Sequence, residues 1–173
     1  MIIFEKNIHR YFKYFLSIIF VLSYFPQNIY AEESNVVLNE KETQSITDVS
    51  AEQYLSNIQG IKAPTGKELL NIMHSDETYF LYIGYESCPY CREFSRTLSS
   101  FKTQNSFPIY YVDLEINYST DLSSEEFTEF KLFFDKKIGA LYTPTFVRIE
   151  HKTPVSGFIG GSTTIQQLQS INS

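Results

Sequence analysis

Two cysteines, Cys88 and Cys91, are the only ones among 173 residues, and they stand three positions apart with Pro89 and Tyr90 between them. Across one turn of helix this spacing brings two sulfur atoms together, so that they can form and break a disulfide in a small ring. Three uses of such a pair are open: redox exchange, half of a zinc site, or a structural bridge.

Zinc and a structural bridge are the weaker alternatives. A structural zinc ion needs four ligands, and beyond the first 31 residues the other soft candidates are His74 and His151, without a partner at ligand spacing. We interpret both histidines as surface residues. A disulfide closing so short a loop gives only a modest entropic gain. The pattern therefore favours redox exchange, with no metal and no cofactor beyond the redox-active Cys88–Cys91 disulfide.

A strand and a helix are predicted to position the pair. Residues 78–85 are nearly all apolar or aromatic, as in a central strand covered on both faces. Residues 91–102 carry a helical apolar stripe. Cys88 then lies where the helix begins, and the helix dipole and unpaired amides there lower a cysteine pKa. We predict Cys88 as the nucleophile and Cys91 as the less exposed resolving thiol.

The residues next to the cysteines support the motif. Pro89 suits the first helical turn, where its missing N–H costs nothing. Arg92 and Arg96 add positive charge on the same helix, whereas Glu86 and Glu93 oppose them. The sequence therefore leaves open the sign of the net field at the first cysteine.

The rest of the chain predicts an α/β domain with a mixed sheet and helices on both faces. Capping boxes are predicted at Thr65 with Glu68 and at Ser123 with Glu126, and Gly139 ends the second of these helices. Further elements are predicted as helices over 51–58, 64–75, 123–138 and from 163 or 164, strands over 59–63, 107–114, 142–150 and 155–159, a loop over 117–122 and a turn at Pro154.

The first 31 residues have the order of an export signal. Basic residues precede an uncharged apolar run over 14–25, Pro26 follows the run, and Ala31 offers a cleavage site. The run is shorter than the roughly 20 residues of a membrane span. We predict a signal peptide or signal anchor over 1–31, a polar spacer over 32–50 and one domain over 51–173, located outside the cytoplasmic membrane.

Composition limits the class of protein. The formal net charge of −6 argues against a nucleic-acid partner, which a basic patch would indicate. Two cysteines are too few for a disulfide-stapled scaffold, so the core must depend on packing. A monomer is expected.

Pro144 interrupts a stretch, 142–149, that otherwise has the pattern of a strand. A proline cannot donate to the ladder of a sheet. The residues alone favour an edge strand or a strand start over a cis peptide bond, which is open to X–Pro.

The motif, the element order and this proline together resemble the thioredoxin superfamily. The shared features are Cys88-Pro-Tyr-Cys91 between a strand and a helix, Thr143-Pro144 later in the chain, a hairpin, and Gly160-Gly161 before the last helix. The resemblance implies a thioredoxin-like fold, with a central mixed β-sheet flanked by helices on both faces. It also implies a cis Pro144 against the cysteine motif, with Thr143 and Pro144 binding the substrate peptide.

A narrower resemblance is carried by residues 80–95 and Val112-Asp113. They are similar to the thioredoxin-like bacteriocin transport accessory proteins, which are exported or membrane-anchored and associated with disulfide formation in secreted peptides. Ser87 and Tyr82 stand where thioredoxin has a Trp and a buried acid, and the Pro-Tyr dipeptide is similar to that of glutaredoxins. The proton acceptor for Cys91 is therefore left open.

The sequence predicts an extracytoplasmic thiol–disulfide oxidoreductase that assists disulfide formation. Its partners are expected to be secreted protein or peptide thiols, a bacteriocin among them, and a membrane redox partner or small-molecule thiol for recycling. A disulfide reductase, a glutathione-dependent enzyme and a non-enzymatic peptide-binding accessory protein remain alternatives.

Overall fold

The computed structural model describes residues 47–139 and 142–173. The predicted export signal and the spacer up to residue 46 lie outside the described residues. Residues 47–50, which the sequence placed in the spacer, belong to the packed domain, because Thr47 and Val49 are buried. Within the described ranges, no helix has the length and apolar character required to cross a membrane.

Over the residues that the structure describes, the domain has five α-helices and four strands. The helices are α1 Ala51–Ile58, α2 Gly66–His74, α3 Pro89–Phe101, α4 Ser124–Leu132 and α5 Ile165–Ser170. The strands are β1 Tyr79–Gly84, β2 Ile109–Asp113, β3 Thr145–Glu150 and β4 Thr153–Ile159. A 3₁₀ turn, Tyr118–Asp121, precedes α4, and a π-helical turn, Phe133–Ile138, continues it.

The strands form one mixed sheet in the order β2-β1-β3-β4. β1 runs parallel to β2 and antiparallel to β3, which in turn pairs antiparallel with β4. Tyr82 of β1 has Tyr111 of β2 on one side and Phe146 of β3 on the other. All six residues of β1 are buried, so β1 is the central strand that the apolar run predicted.

Alternate residues of β1 enter two separate cores because side chains alternate across a strand. Phe80 and Tyr82 pack with side chains of α1, α3 and α5 on one face. Tyr79, Leu81 and Ile83 pack with α2 and α4 on the other. The sheet therefore has helices on both faces, and the cysteine pair lies on the first of them.

Three helices begin with the predicted kind of local hydrogen bonding. Thr65 with Glu68 and Ser123 with Glu126 form complete capping boxes, as their spacing indicates. Thr164 forms a third with Gln167, so α5 begins after Thr164. These bonds satisfy backbone N–H groups that a helix start would otherwise leave unpaired.

The predicted turn at Pro154 is wrong, because Pro154 lies within β4. The hairpin instead turns at His151 and Lys152, whose φ angles are 48° and 64°. β4 is at the edge of the sheet, where a proline is tolerated.

Two predicted strands also differ in extent. The strand expected over 59–63 is reduced to a single bridge between Lys62 and Tyr110. The strand expected from Tyr142 begins at Thr145, after Pro144.

Candidate active site

Cys88 is the N-cap of α3. Its backbone is extended, with φ −76° and ψ 114°, and its Sγ accepts a hydrogen bond from the Cys91 N–H at 3.1 Å. Pro89 is the first residue of the helix, and the Arg92 N–H donates to the Cys88 carbonyl at 3.1 Å. The sulfur therefore lies at the positive end of the helix dipole, where a thiolate is favoured.

Cys88 and Cys91 are joined in a disulfide, with their Cα atoms 5.2 Å apart. Cys91 is fully buried, whereas 4% of Cys88 remains exposed. The two sulfur atoms are bonded to each other. Because Cys91 is buried, an attacking thiolate can approach only the outer sulfur, that of Cys88.

The Thr143–Pro144 peptide bond is cis, as the resemblance implied. Thr143 Oγ1 lies 3.6 Å from Cys88 Sγ, and the Thr143 carbonyl lies 4.0 Å from the same sulfur. The Pro144 carbonyl accepts a hydrogen bond from the Gly160 N–H at 2.9 Å. The tertiary structure thus brings Cys88, the Thr143-Pro144 segment and the diglycine loop together.

Gly161 packs against the backbone of Tyr90. A Cβ atom at this glycine would lie 2.8 Å from the Tyr90 carbonyl oxygen, so a larger residue would displace one of the two segments. Sequence reasoning noted the diglycine but not this contact. The Tyr90 side chain is exposed, as is that of Tyr142, two residues before Pro144.

The charges on α3 are partly neutralised by neighbours. Arg96 pairs with Asp48 and lies 3.8 Å from Glu93. Arg92 is half-buried, and its Nε has no hydrogen-bond partner in the described part of the chain. Of the two arginines on α3, Arg92 is therefore the one whose charge is less neutralised by neighbouring carboxylates.

The two histidines considered as zinc ligands each pair with a different acidic residue. His74 is half-exposed and pairs with Glu129 at 2.6 Å. His151 is mostly exposed and lies 3.3 Å from Asp76. Neither contacts the cysteine pair, and both are surface residues.

Three buried tyrosines under Cys91 were not anticipated as a group. Tyr82 Oη lies 3.1 Å from Tyr54 Oη, and Tyr54 donates to Tyr111 Oη at 3.0 Å. Tyr82 Oη also lies 3.5 Å from the carbonyl oxygen of Cys91. Burial raises the pKa of all three phenols, so they are neutral donors at ordinary pH. In the sequence, Tyr54 and Tyr111 occupy apolar positions of a predicted helix and a predicted strand. Nothing in that pattern indicates that their hydroxyl groups are hydrogen-bonded.

Gly84 makes room for this arrangement at the end of β1. A Cβ atom there would lie 2.8 Å from Tyr82 Oη and 3.2 Å from Cys91 Sγ. The phenol and the inner sulfur therefore share the space above this glycine.

No family model matches the chain. Among solved structures it is similar to thioredoxin from Aeropyrum pernix, at 18% identity over 62% of this chain and 84% of that chain, with a TM-score of 0.45. Oxidised mitochondrial thioredoxin 3 from Saccharomyces cerevisiae gives 15% identity over 67% and 96%, with a TM-score of 0.47. Oxidised thioredoxin O1 from Arabidopsis thaliana gives 15% over 64% and 92%, with a TM-score of 0.46.

The assignment of the fold rests on the chain's own topology. A parallel β1–α3–β2 unit is followed by an antiparallel β3–β4 hairpin and a closing helix. A Cys-x-x-Cys pair caps α3 and lies beside a cis-proline. This chain has a thioredoxin-like α/β fold that carries a thiol–disulfide redox pair, Cys88 and Cys91.

Proposed function

We propose that the protein is an extracytoplasmic thiol–disulfide oxidoreductase that works mainly as an oxidase of secreted proteins or peptides. The observation that carries the proposal is the position of Cys88 Sγ. It lies at the N-terminus of α3, 3.6 Å from Thr143 Oγ1 beside the cis Pro144, and is bonded to Cys91. An outer sulfur at a helix start and an inner sulfur behind it are the parts that disulfide exchange requires.

Oxidation of a substrate dithiol takes two exchanges. A substrate thiolate attacks Cys88 Sγ, the Cys88–Cys91 bond breaks, and Cys91 leaves as a thiolate that takes up a proton. The second substrate thiolate then attacks the substrate sulfur of the mixed disulfide, and Cys88 leaves as a thiolate. The substrate loses two electrons and the cysteine pair gains them.

The helix start supports the oxidising direction, because it stabilises one redox form of the enzyme over the other. The helix start favours a thiolate at Cys88, which exists only after reduction. Stabilising the reduced form makes a cysteine pair a stronger oxidant. A membrane redox partner or a small-molecule thiol–disulfide couple would then reoxidise the pair.

The location and the substrate class come from the sequence. The basic start and the apolar run of residues 1–31 support export or membrane anchoring. The similarity of residues 80–95 to bacteriocin transport accessory proteins supports a bacteriocin or another secreted peptide as substrate.

The redox equilibrium with glutathione tests the direction. Thiol–disulfide proteins range from about −270 mV for thioredoxin to about −120 mV for a periplasmic oxidase. We expect a potential nearer the second value. A potential near that of thioredoxin would contradict the oxidase assignment and would favour a reductase.

Trapping of mixed disulfides tests the chemistry itself. In Cys91→Ala the inner sulfur is missing, so substrates attached to Cys88 should accumulate and be released by a reductant. The matched control is Cys88→Ala, which should trap none. If Cys88→Ser retained full biological activity, the protein would be a non-enzymatic accessory protein instead.

A further inference from the structure

The inner sulfur of the redox pair has tyrosine hydroxyls beneath it. Tyr82, Tyr54 and Tyr111 come from β1, α1 and β2, and their hydroxyl groups are linked at 3.1 and 3.0 Å. Tyr54 and Tyr82 are fully buried, and Tyr111 is 6% exposed. Three elements distant in sequence thus bring their hydroxyl groups together within a largely apolar core.

The hydrogen-bond directions follow from a count of protons. Each phenol has one O–H to donate. Tyr54 donates to Tyr111, so the proton between Tyr54 and Tyr82 belongs to Tyr82. In the disulfide form the donors therefore point away from Cys91. Hydroxyl groups rotate, and the reversed order Tyr111 to Tyr54 to Tyr82 would leave the last proton facing the sulfur.

The hydroxyl of Tyr82 and the sulfur of Cys91 are neighbours beside Gly84. Tyr82 Oη and Cys91 Sγ lie 2.8 and 3.2 Å from the same point, the position of a Cβ atom on Gly84. The two atoms are consequently no further apart than the sum of these distances. Once the bond to Cys88 breaks, Cys91 Sγ can turn about its Cα–Cβ bond toward the phenol.

We propose that Tyr82 donates a hydrogen bond to the Cys91 thiolate during disulfide exchange, and that Tyr54 and Tyr111 are positioning residues that support this donor. The proposal rests on the function proposed above. When a substrate thiolate attacks Cys88, the Cys88–Cys91 bond breaks and its electron pair remains on Cys91. A thiolate in this buried position needs a donor, since burial without one disfavours a charge. Donors linked in series polarise one another and strengthen the last bond.

Other charged and titratable groups adjoin the same core face. Asp113 at the end of β2 is the carboxylate whose charge acts on all three phenols and raises their pKa further. It is the competing candidate for proton exchange with Cys91. Further titratable or charged groups stand on these elements or next to them: Glu52 of α1, Tyr85 and Glu86 before α3, Tyr90, Arg92, Glu93 and Arg96 of α3, and Arg148 of β3.

Tyr82→Phe tests the proposal, because the ring stays and the hydroxyl goes. Rapid mixing of the disulfide-form enzyme with a dithiol peptide gives the exchange rate between pH 5 and 9. In a Cys88→Ser background, ultraviolet thiolate absorbance follows the ionisation of Cys91 alone. A hydrogen bond to a charged group corresponds to a change of roughly 10- to 100-fold. We expect a rate loss of that size and a titration of Cys91 moved to higher pH.

Tyr79→Phe is the matched control. Tyr79 is also fully buried on β1, but it faces the other core, and its hydroxyl has no hydrogen-bond partner in the described residues. We expect it to change neither the rate nor the titration. Tyr54→Phe should give a smaller loss than Tyr82→Phe, and Tyr111→Phe the smallest.

Two results would overturn the proposal. One is an exchange rate and a Cys91 titration in Tyr82→Phe that match those of Tyr79→Phe. The other is a shift of the titration by Asp113→Asn with none by Tyr82→Phe, which would assign the proton to the carboxylate. Failure of the proposed function would look different, because the unaltered protein would then show no exchange with the peptide.

Discussion

The Thr143 side chain lies next to the sulfur of Cys88 but comes from a segment outside α3. Its Oγ1 lies 3.6 Å from Cys88 Sγ, and in the disulfide form only the hydroxyl of this pair has a proton to donate. In the reduced enzyme the hydroxyl can donate to the Cys88 thiolate, together with the Cys91 N–H that already points at this sulfur. The nucleophile is thus stabilised by one backbone donor and one side-chain donor.

Thr143→Val removes that side-chain donor and keeps the branched shape. We expect the pKa of Cys88 to rise, because the thiolate loses a hydrogen bond. At pH 7 the rate of alkylation of the reduced enzyme by iodoacetamide should fall several-fold, which is below the roughly 10- to 100-fold of a full hydrogen bond to a charge because the Cys91 N–H donor remains. Thr97→Val, further along α3, is the control and should react like the unaltered protein. An unchanged rate in Thr143→Val would show that the backbone donor suffices.

At the scale of elements, α3 carries the redox pair and is fixed by its neighbours on one side of the sheet. The Asn57 amide of α1 donates to Ser95 Oγ at 2.9 Å, and Lys102 donates to the Asn57 carbonyl at 2.6 Å. Thr47 donates to Glu93 at 2.9 Å from the segment before α1. The opposite face is covered by α2 and α4, which share no core cluster with the cysteines.

Ser123→Ala tests the separation of the two faces. Ser123 accepts the Glu126 N–H at 3.2 Å as the N-cap of α4, and loss of such a cap costs about 1 kcal/mol. We expect urea unfolding of the oxidised protein to show this loss, while the exchange rate with a dithiol peptide stays the same. Ser124→Ala, one position inside the helix, should change neither. A fall in exchange rate with Ser123→Ala would show that the two faces are coupled.

At the scale of the whole molecule, the core is rich in phenols and lacks tryptophan. Burial raises the pKa of several tyrosines on both faces of the sheet: Tyr54, Tyr79, Tyr82, Tyr111 and Tyr118. In the unfolded chain a tyrosine ionises near pH 10. The folded state holds these protons to higher pH than the unfolded chain does. The stability that the buried phenols contribute is therefore fully present below about pH 10 and is lost as the pH rises further.

Alkaline unfolding measures this effect. We expect the free energy of unfolding, from urea titrations of the oxidised protein, to be flat with respect to these tyrosines from pH 8 to about pH 10 and to fall steeply above. Each protonated buried phenol adds up to about 1.4 kcal/mol per pH unit to the slope. Tyrosinate absorbance should appear together with unfolding. Ionisation of all tyrosines near pH 10 without unfolding would contradict the buried, neutral phenols.

Much of the fold could be predicted because its signals are short-range. The uninterrupted apolar run of β1, the capping boxes at Thr65 and Ser123, and the stop at Gly139 depend on residues within a few positions of one another. The join between a strand and α3 at Cys88 is equally local. Pro154 was misplaced because a proline indicates a turn in general, while an edge strand tolerates it.

The sequence by itself determined the redox pair, its place at a helix start and most of the elements, since spacing and periodicity express local chemistry. Only the tertiary structure decided that Thr143 Oγ1 meets Cys88 Sγ and that Gly161 meets Tyr90. It also decided that three tyrosines share hydrogen bonds below Cys91. These contacts depend on which helix covers which face of the sheet, and in a single sequence a tyrosine that makes a buried hydrogen bond looks the same as one that only fills space.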